Sequence, residues 1–236
     1  MAHHFIFQRY LQYFSPDVGN IFRYDKNINE EKLLPIKKVG AINDYYTYIQ
    51  ESGEKDTSFE NPFLSNFEGL YPVLITSLEK QEPLSSHYDY LTSIMAIMHS
   101  RVPKQRNHIT SVVKDLHRKT KSLGEPSKNL DLELMVENMK LYANIMSHSY
   151  FWIGVIQDDS TFITSDNPAG NACLPLTPKL CLFSSSEKKS VEYVPVDKEV
   201  VEKINWITYT NADKYIFGHA SIKPLFERKN QNTNKK

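Results

Sequence analysis

The chain has 236 residues, of which 40% are hydrophobic and 12% aromatic, enough for one large domain with its own core and no covalent staples. Its 28 basic and 28 acidic residues cancel. That balance excludes a purely electrostatic nucleic-acid coat and leaves room only for a local basic groove.

The opening stretch, MAHHFIFQRYLQYF, is aromatic and amphipathic but lacks the basic and long apolar regions of a signal peptide. Residues 21–25, after the Pro16–Gly19 turn, alternate apolar with polar as a half-buried strand does. Residues 33–39 and 45–49 are the next extended candidates, and the polar stretch 51–58 reads as a loop. From Pro62 the period changes. Leu64, Phe67, Tyr71, Leu74 and Leu78 recur at three and four, predicting a helix bent near Gly69 and Pro72. A second helix is predicted over 88–101 with Leu91, Met95 and Met98 in its stripe and Ser85 or Ser86 as its cap. Pro103 breaks the register, and residues 109–120 continue as a basic helix. Gly124, Pro126 and Ser127 mark a loop before the stripe Leu132, Met135, Met139, Tyr142 and Met146.

Strand signals return at 151–156, 161–164 and 180–184, with Asp158-Asp159-Ser160 short enough for a hairpin. Residues 196–206 read as a helix and Tyr215–Gly218 as a last strand, before the polar tail 227–236, which is expected to be disordered. Cys173 and Cys181 are too few for a disulfide framework or a zinc centre and read as small buried hydrophobes. No stretch approaches the ~18 apolar residues of a membrane span. The expectation is a soluble cytoplasmic protein with no membrane partner. Its fold class is α+β: N-terminal short strands, a central helical bundle and C-terminal antiparallel strands in one mixed domain over 1–226.

Several islands along the chain carry a resemblance. His3-His4 precede Tyr10-Leu11 and Phe14; Tyr24-Asp25-Lys26 follow; Phe67-Glu68 sits on the first long helix, and Arg101, Pro103 and Arg106 form R-x-P-x-x-R. Finally come Phe162–Pro168 and Pro175-Leu176-Thr177-Pro178. In this order they resemble a bacterial family known only as domain of unknown function 4238. Phe7 replaces the family's proline and Ala169 its valine, both apolar changes. The resemblance implies a shape and no reaction, so chemistry must come from residue types.

Each candidate has a plain reading beside the functional one. Adjacent His3 and His4 point apart, so one faces the core and the other a site, unless both are structural or the remnant of a tag. Glu68, at the rim of its stripe with ~100° per residue, is either the ion-pair partner of Arg101 or a catalytic carboxylate. Arg101 is the corresponding anion clamp, a task suited to guanidinium geometry. Lys104, Arg106, Lys114, Arg118, Lys119 and Lys121 make either a solvated face or a phosphate-binding run. Ser165-Asp166-Asn167-Pro168 is either a turn or a site with Asp166 as base or ligand. The set Asp166, Glu68, His4 and Arg101, with Ser165, Asn167 and Arg106 contacting substrate, suits hydrolysis of a nucleic acid or nucleotide. Asp166 and Glu68 would then hold Mg²⁺ or Mn²⁺ in a nuclease-like reaction. The same set suits metal-free hydrolysis by a carboxylic acid of raised pKa. The alternatives are a non-catalytic binding module with a structural His/Glu/Arg/Asp network, or a reaction resembling that of HEPN ribonucleases, using Arg101 and His108 at R-x6-H spacing. No P-loop, GxGxxG or GxSxG is present.

Overall fold

The structure, a computed structural model, describes residues 2–17, 19–120, 127, 129–170 and 173–226. The expected tail, together with Gly124, Pro126 and Lys121, lies outside them. In chain order the elements are β1 (Ala2–His4), α1 (Gln8–Tyr13), β2 (Asn20–Asp25), β3 (Glu30–Pro35), β4 (Ala41–Asn43), β5 (Tyr48–Ile49) and β6 (Lys55–Asp56). The helices α2 (Ser65–Gly69), α3 (Tyr71–Glu79), α4 (Tyr88–Ser100), α5 (Pro103–Thr120) and α6 (Leu130–Met146) follow. The chain returns to strands with β7 (Tyr150–Ile156), β8 (Thr164–Ser165), β9 (Cys173–Pro175), β10 (Leu180–Ser185) and β11 (Tyr193–Val196), then α7 (Lys198–Asn211) and β12 (Tyr215–Gly218). The fold is mixed α+β, as expected. The described residues divide into two compact units, one from 1–6 and 41–149, the other from 7–40 and 150–236.

The first unit is mostly helical. Leu91, Ile94, Met95 and Met98 of α4 are buried, as are Leu132, Met135, Met139 and Met146 of α6, so the two predicted stripes face a common core. Each such side chain contributes roughly 1.5–3 kcal/mol by leaving water. The bend expected near Gly69 is a break between α2 and α3, with Pro72 in the first turn of α3. Pro103 opens α5 instead of interrupting it, because its fixed φ and missing N–H suit a first helical position. Neither Ser85 nor Ser86 caps α4; a tight turn, Leu84–His87, leads straight into it. The stretch expected as a loop contains β6, which pairs with β5. Residues 45–49 are extended only at Tyr48–Ile49, and β1 pairs antiparallel with β4, setting His3 opposite Ile42 and His4 opposite Ala41.

The second unit holds two four-stranded sheets, ordered β11-β7-β10-β9 and β3-β2-β12-β8. The N-terminal strands β2 and β3 thus join the C-terminal β12 and do not form a layer of their own. Residues 33–39 leave β3 at Pro35 for a short helical turn, Ile36–Lys38. One pairing departs from the expected antiparallel pattern: β11 runs parallel to β7. The reversal after β10 restores the direction of β7, and β9 already holds the other edge of β10. The expected hairpin at 158–160 is absent, because β7 and β8 belong to different sheets. Asp158 there accepts the Ser160 N–H at 2.7 Å in a side-chain turn. Tyr10 of α1 ties β8 to β9: its hydroxyl donates to the Pro175 carbonyl at 2.8 Å and meets the Thr164 hydroxyl at 2.5 Å.

Candidate functional site

In the first unit the main chain of His4 is a hub. Its N–H is donated to the Glu60 carboxylate, and its carbonyl accepts from Arg101 Nη2 and, at 3.4 Å, from the Tyr46 hydroxyl. Arg101 follows the last turn of α4, is only 1% exposed, and lies 5.5 Å over the Tyr46 ring. Its own carbonyl accepts the Tyr45 hydroxyl at 2.9 Å.

Glu60 reaches this point because the chain opens there. Phe59–Leu64 forms a wide helical turn in which Asn61 is extended (φ −137°, ψ 116°) and Pro62 has no N–H to give. Leu64 is buried and pins the far end. Glu60 is half-buried, and its Oε2 is shut from solvent with no hydrogen-bond partner. Burial holds its carboxyl above the ordinary range; the Arg101 charge opposes this, the Glu68 charge adds to it, and the His4 N–H opposes it. Glu68, half-buried on α2, also helps burial to raise the Tyr90 hydroxyl.

His3 is fully buried and stacks on Tyr46, centroids 5.7 Å apart. The Tyr46 N–H is donated to His3 Nδ1 at 2.8 Å, so the ring is neutral and its proton sits on Nε2. That Nε2 is buried with no hydrogen-bond partner. Burial holds the His3 pKa below its usual value. Arg106 stacks 4.4 Å over Tyr45 and donates to its carbonyl at 2.5 Å; burial pushes the Tyr45 hydroxyl up to about 12 against this cation.

Three of the four core candidates, His4, Glu68 and Arg101, therefore gather around Glu60 in one unit, with Arg106 holding the adjoining Tyr45. His4 enters through its main chain. Glu60, Tyr46 and His3 complete the group. Sequence reading passed over Glu60 because periodicity starts only at Leu64, although an acidic residue inside the aromatic, proline-broken FENPFL was a local signal.

Asp166 belongs to the second unit and has a definite task there. Its Oδ1 accepts the Asp213 N–H at 2.8 Å, and its Oδ2 accepts those of Lys214 at 2.7 Å and Tyr215 at 2.8 Å. Burial raises its pKa while these three donors oppose. The Asn167 N–H is donated to Ser165 Oγ at 3.2 Å, and Asn167 Nδ2 donates to the Asn211 carbonyl at 3.0 Å. Ser165, Asp166 and Asn167 thus fasten the turn between α7 and β12. Both oxygens of Asp166 are occupied, which leaves the metal-ligand and base readings of Asp166 without geometric support. Among the described residues no group of three or more His, Cys, Asp or Glu side chains is placed to hold a metal ion.

His108 is exposed on α5 while Arg101 is buried, so the R-x6-H pair does not share one surface. Lys104, Lys114, Arg118 and Lys119 are exposed along α5, with Arg118 paired to Asp115. Among the described residues no helix is long and apolar enough to cross a membrane.

Neither the curated proteins nor the solved structures searched contain a match to this chain. A family model does match. It is described as Protein of unknown function (DUF4238) and covers residues 2–221, and the chain belongs to that family.

Proposed function

We propose that Glu60, Glu68 and Arg101 form the acid–base centre of a hydrolase acting on a nucleotide, free or within a nucleic acid. The observation that carries this reading is Glu60: a half-buried carboxyl raised above its ordinary range, within the fields of a buried guanidinium and a second carboxylate. Two carboxyls within one another's field can divide the work of acid and base between them. Glu60, as the acid, gives a proton to the leaving group. Glu68, as the base, takes one from the attacking water, and the hydroxide equivalent adds to the centre the leaving group vacates. The buried Arg101 guanidinium sets its positive field on this pair from beneath, and the exposed cations of α5 are the contacts for the substrate's phosphate. No step requires a metal ion.

The test is to incubate the full chain with nucleotides and short RNA, with and without a chelator, and to separate the products. Free base, nucleoside and phosphate products identify the bond cleaved. Turnover is expected with chelator present and should fall by about 10²–10⁴-fold in Glu60→Gln. Undiminished turnover in a folded Glu60→Gln variant overturns the assignment.

A second reading is favoured by one observation. Arg101 donates to the His4 carbonyl while its own carbonyl accepts from Tyr45, which suits a purely structural tie in a non-catalytic binding module. Thermal melting of the same variant separates the two. A raised Glu60 is disfavoured as an ion in the fold, so a neutral Gln should leave the melting temperature at pH 7 unchanged or higher. If Glu60 were the counter-ion that holds Arg101 in place, Gln would lower it.

A further inference from the structure

Away from Arg101, the first unit contains a hollow of about 420 Å³ between the β5–β6 hairpin, the start of the wide turn and the first two turns of α6. That volume lies within the range of small-molecule sites. Its floor is apolar, made by Leu132 and Val136 of α6, and Tyr48 and Phe59 supply aromatic walls. Tyr48 is 40% exposed, although a tyrosine ring is more often covered. Three carboxylates, Asp56, Glu133 and Glu137, stand around this apolar strip, and none of the described residues that line it is basic. Asp56 is held ionised, its pKa lowered by the Ser58 N–H and hydroxyl. Glu133 spends one oxygen on the Ser127 hydroxyl at 2.9 Å. Glu137 meets Lys140 at 2.7 Å, but both side chains are about two-thirds exposed, so solvent screens that pair.

We propose that this hollow binds a linear polyamine. The charge complementarity is specific in form. Ammonium groups separated by methylene runs would set positive charge against Asp56, Glu133 and Glu137 and lay their apolar links along Leu132 and Val136. The faces of Tyr48 and Phe59 attract such cations through their ring quadrupoles. A compact hydrated metal ion would leave the apolar floor and both rings unused, and a peptide would need a longer groove. The inference rests on the hollow alone and holds whether or not Glu60 is catalytic.

The test is calorimetric titration of the full chain with spermidine, with the diamine putrescine and Mg²⁺ as comparisons. One saturable site is expected, weaker for putrescine and weakest for Mg²⁺. The double variant Glu133→Gln/Glu137→Gln should lose at least about tenfold in affinity, and Phe59→Leu several-fold. Both glutamates are exposed, so the double variant should melt as the parent does. Asp56→Asn provides a third variant should Phe59→Leu fold poorly. Absence of saturation up to about 1 mM spermidine overturns the proposal. So does equal binding of Mg²⁺, or affinity that survives in the double variant.

Discussion

Asp166 shows how a functional-looking residue becomes a structural one once its partners are named. A carboxylate with two acceptor oxygens meets three consecutive N–H donors, from Asp213, Lys214 and Tyr215. Asn offers one acceptor and turns an amide NH₂ toward the remaining donors. Hydrogen bonds to a charged group contribute about 1.5–3 kcal/mol each, and a donor left buried costs about 1–3 kcal/mol. Asp166→Asn should therefore cost about 2–4 kcal/mol in chemical denaturation while leaving hydrolysis by the folded protein intact; hydrolysis lost from a variant of unchanged stability would contradict this. His3 makes the other residue-scale prediction. Burial first, opposed by the Asp44 charge, holds its pKa below the ordinary 6.5. Below pH 6.5 the unfolded chain binds a proton that folded His3 does not. Its contribution to stability is thus complete above 6.5 and declines as pH falls from there toward the folded value. His3→Asn keeps a side-chain acceptor for the Tyr46 N–H and removes the titration. Denaturation midpoints of the variant should fall less between pH 7 and 5 than those of the parent, and parallel curves would exclude His3 as the source.

At the scale of elements, the stretch 161–164 explains one failure of sequence reading. Its β-branched residues promise a strand, yet only Thr164 and Ser165 join a ladder, with β12. The backbone before them is satisfied by a side chain. Asn205 of α7 accepts the Ile163 N–H at 3.0 Å and donates to the Thr161 carbonyl at 2.8 Å. One amide thus replaces a neighbouring strand, and no local pattern could announce a partner 42 residues away. The clean helical stripes of α4 and α6 were legible because a 3.6-residue period needs only its own turn to be seen. The strand β12 was legible for its aromatic run, and the motif order for its resemblance. What stayed hidden was pairing: which edge β11 takes, where β2 and β3 go, and that Glu60 stands beside Arg101. Asn205 is 8% exposed, so Asn205→Leu would strand two buried backbone groups. A loss of about 2–4 kcal/mol is expected, and hydrogen exchange at Ile163 should accelerate more than exchange in β7. Uniform acceleration would show that α7 holds the whole unit and not this segment.

For the molecule as a whole, the chain path matters more than any one contact. Each compact unit is built from two separate stretches, with residues 7–40 belonging to the unit that contains 150–236 and residues 1–6 to the unit that contains 41–149. The central strands of one sheet show the dependence. β12 is flanked by β8 from its own stretch and by β2 from the first 40 residues, pairing Tyr215 with Asp25 and Gly218 with Phe22. Glu31 adds a further tie, accepting the Ser221 hydroxyl and the Ile222 N–H, each at 2.6 Å. Such long-range pairing closes large loops before it yields any contact, so neither stretch can complete its sheet alone. A cut after Ser149 would leave the first unit's residues together and split the second. Expressed separately, fragment 150–236 should show no amide protection in β12, and fragment 1–149 should protect α4 and α6 while β2 exchanges freely. Mixing the fragments should restore protection in β2 and β12 together, because each supplies the other's partner. Protection of β12 in the isolated C-terminal fragment would mean that β8 and α7 suffice to hold it, and the interlaced chain path would then carry no energetic weight.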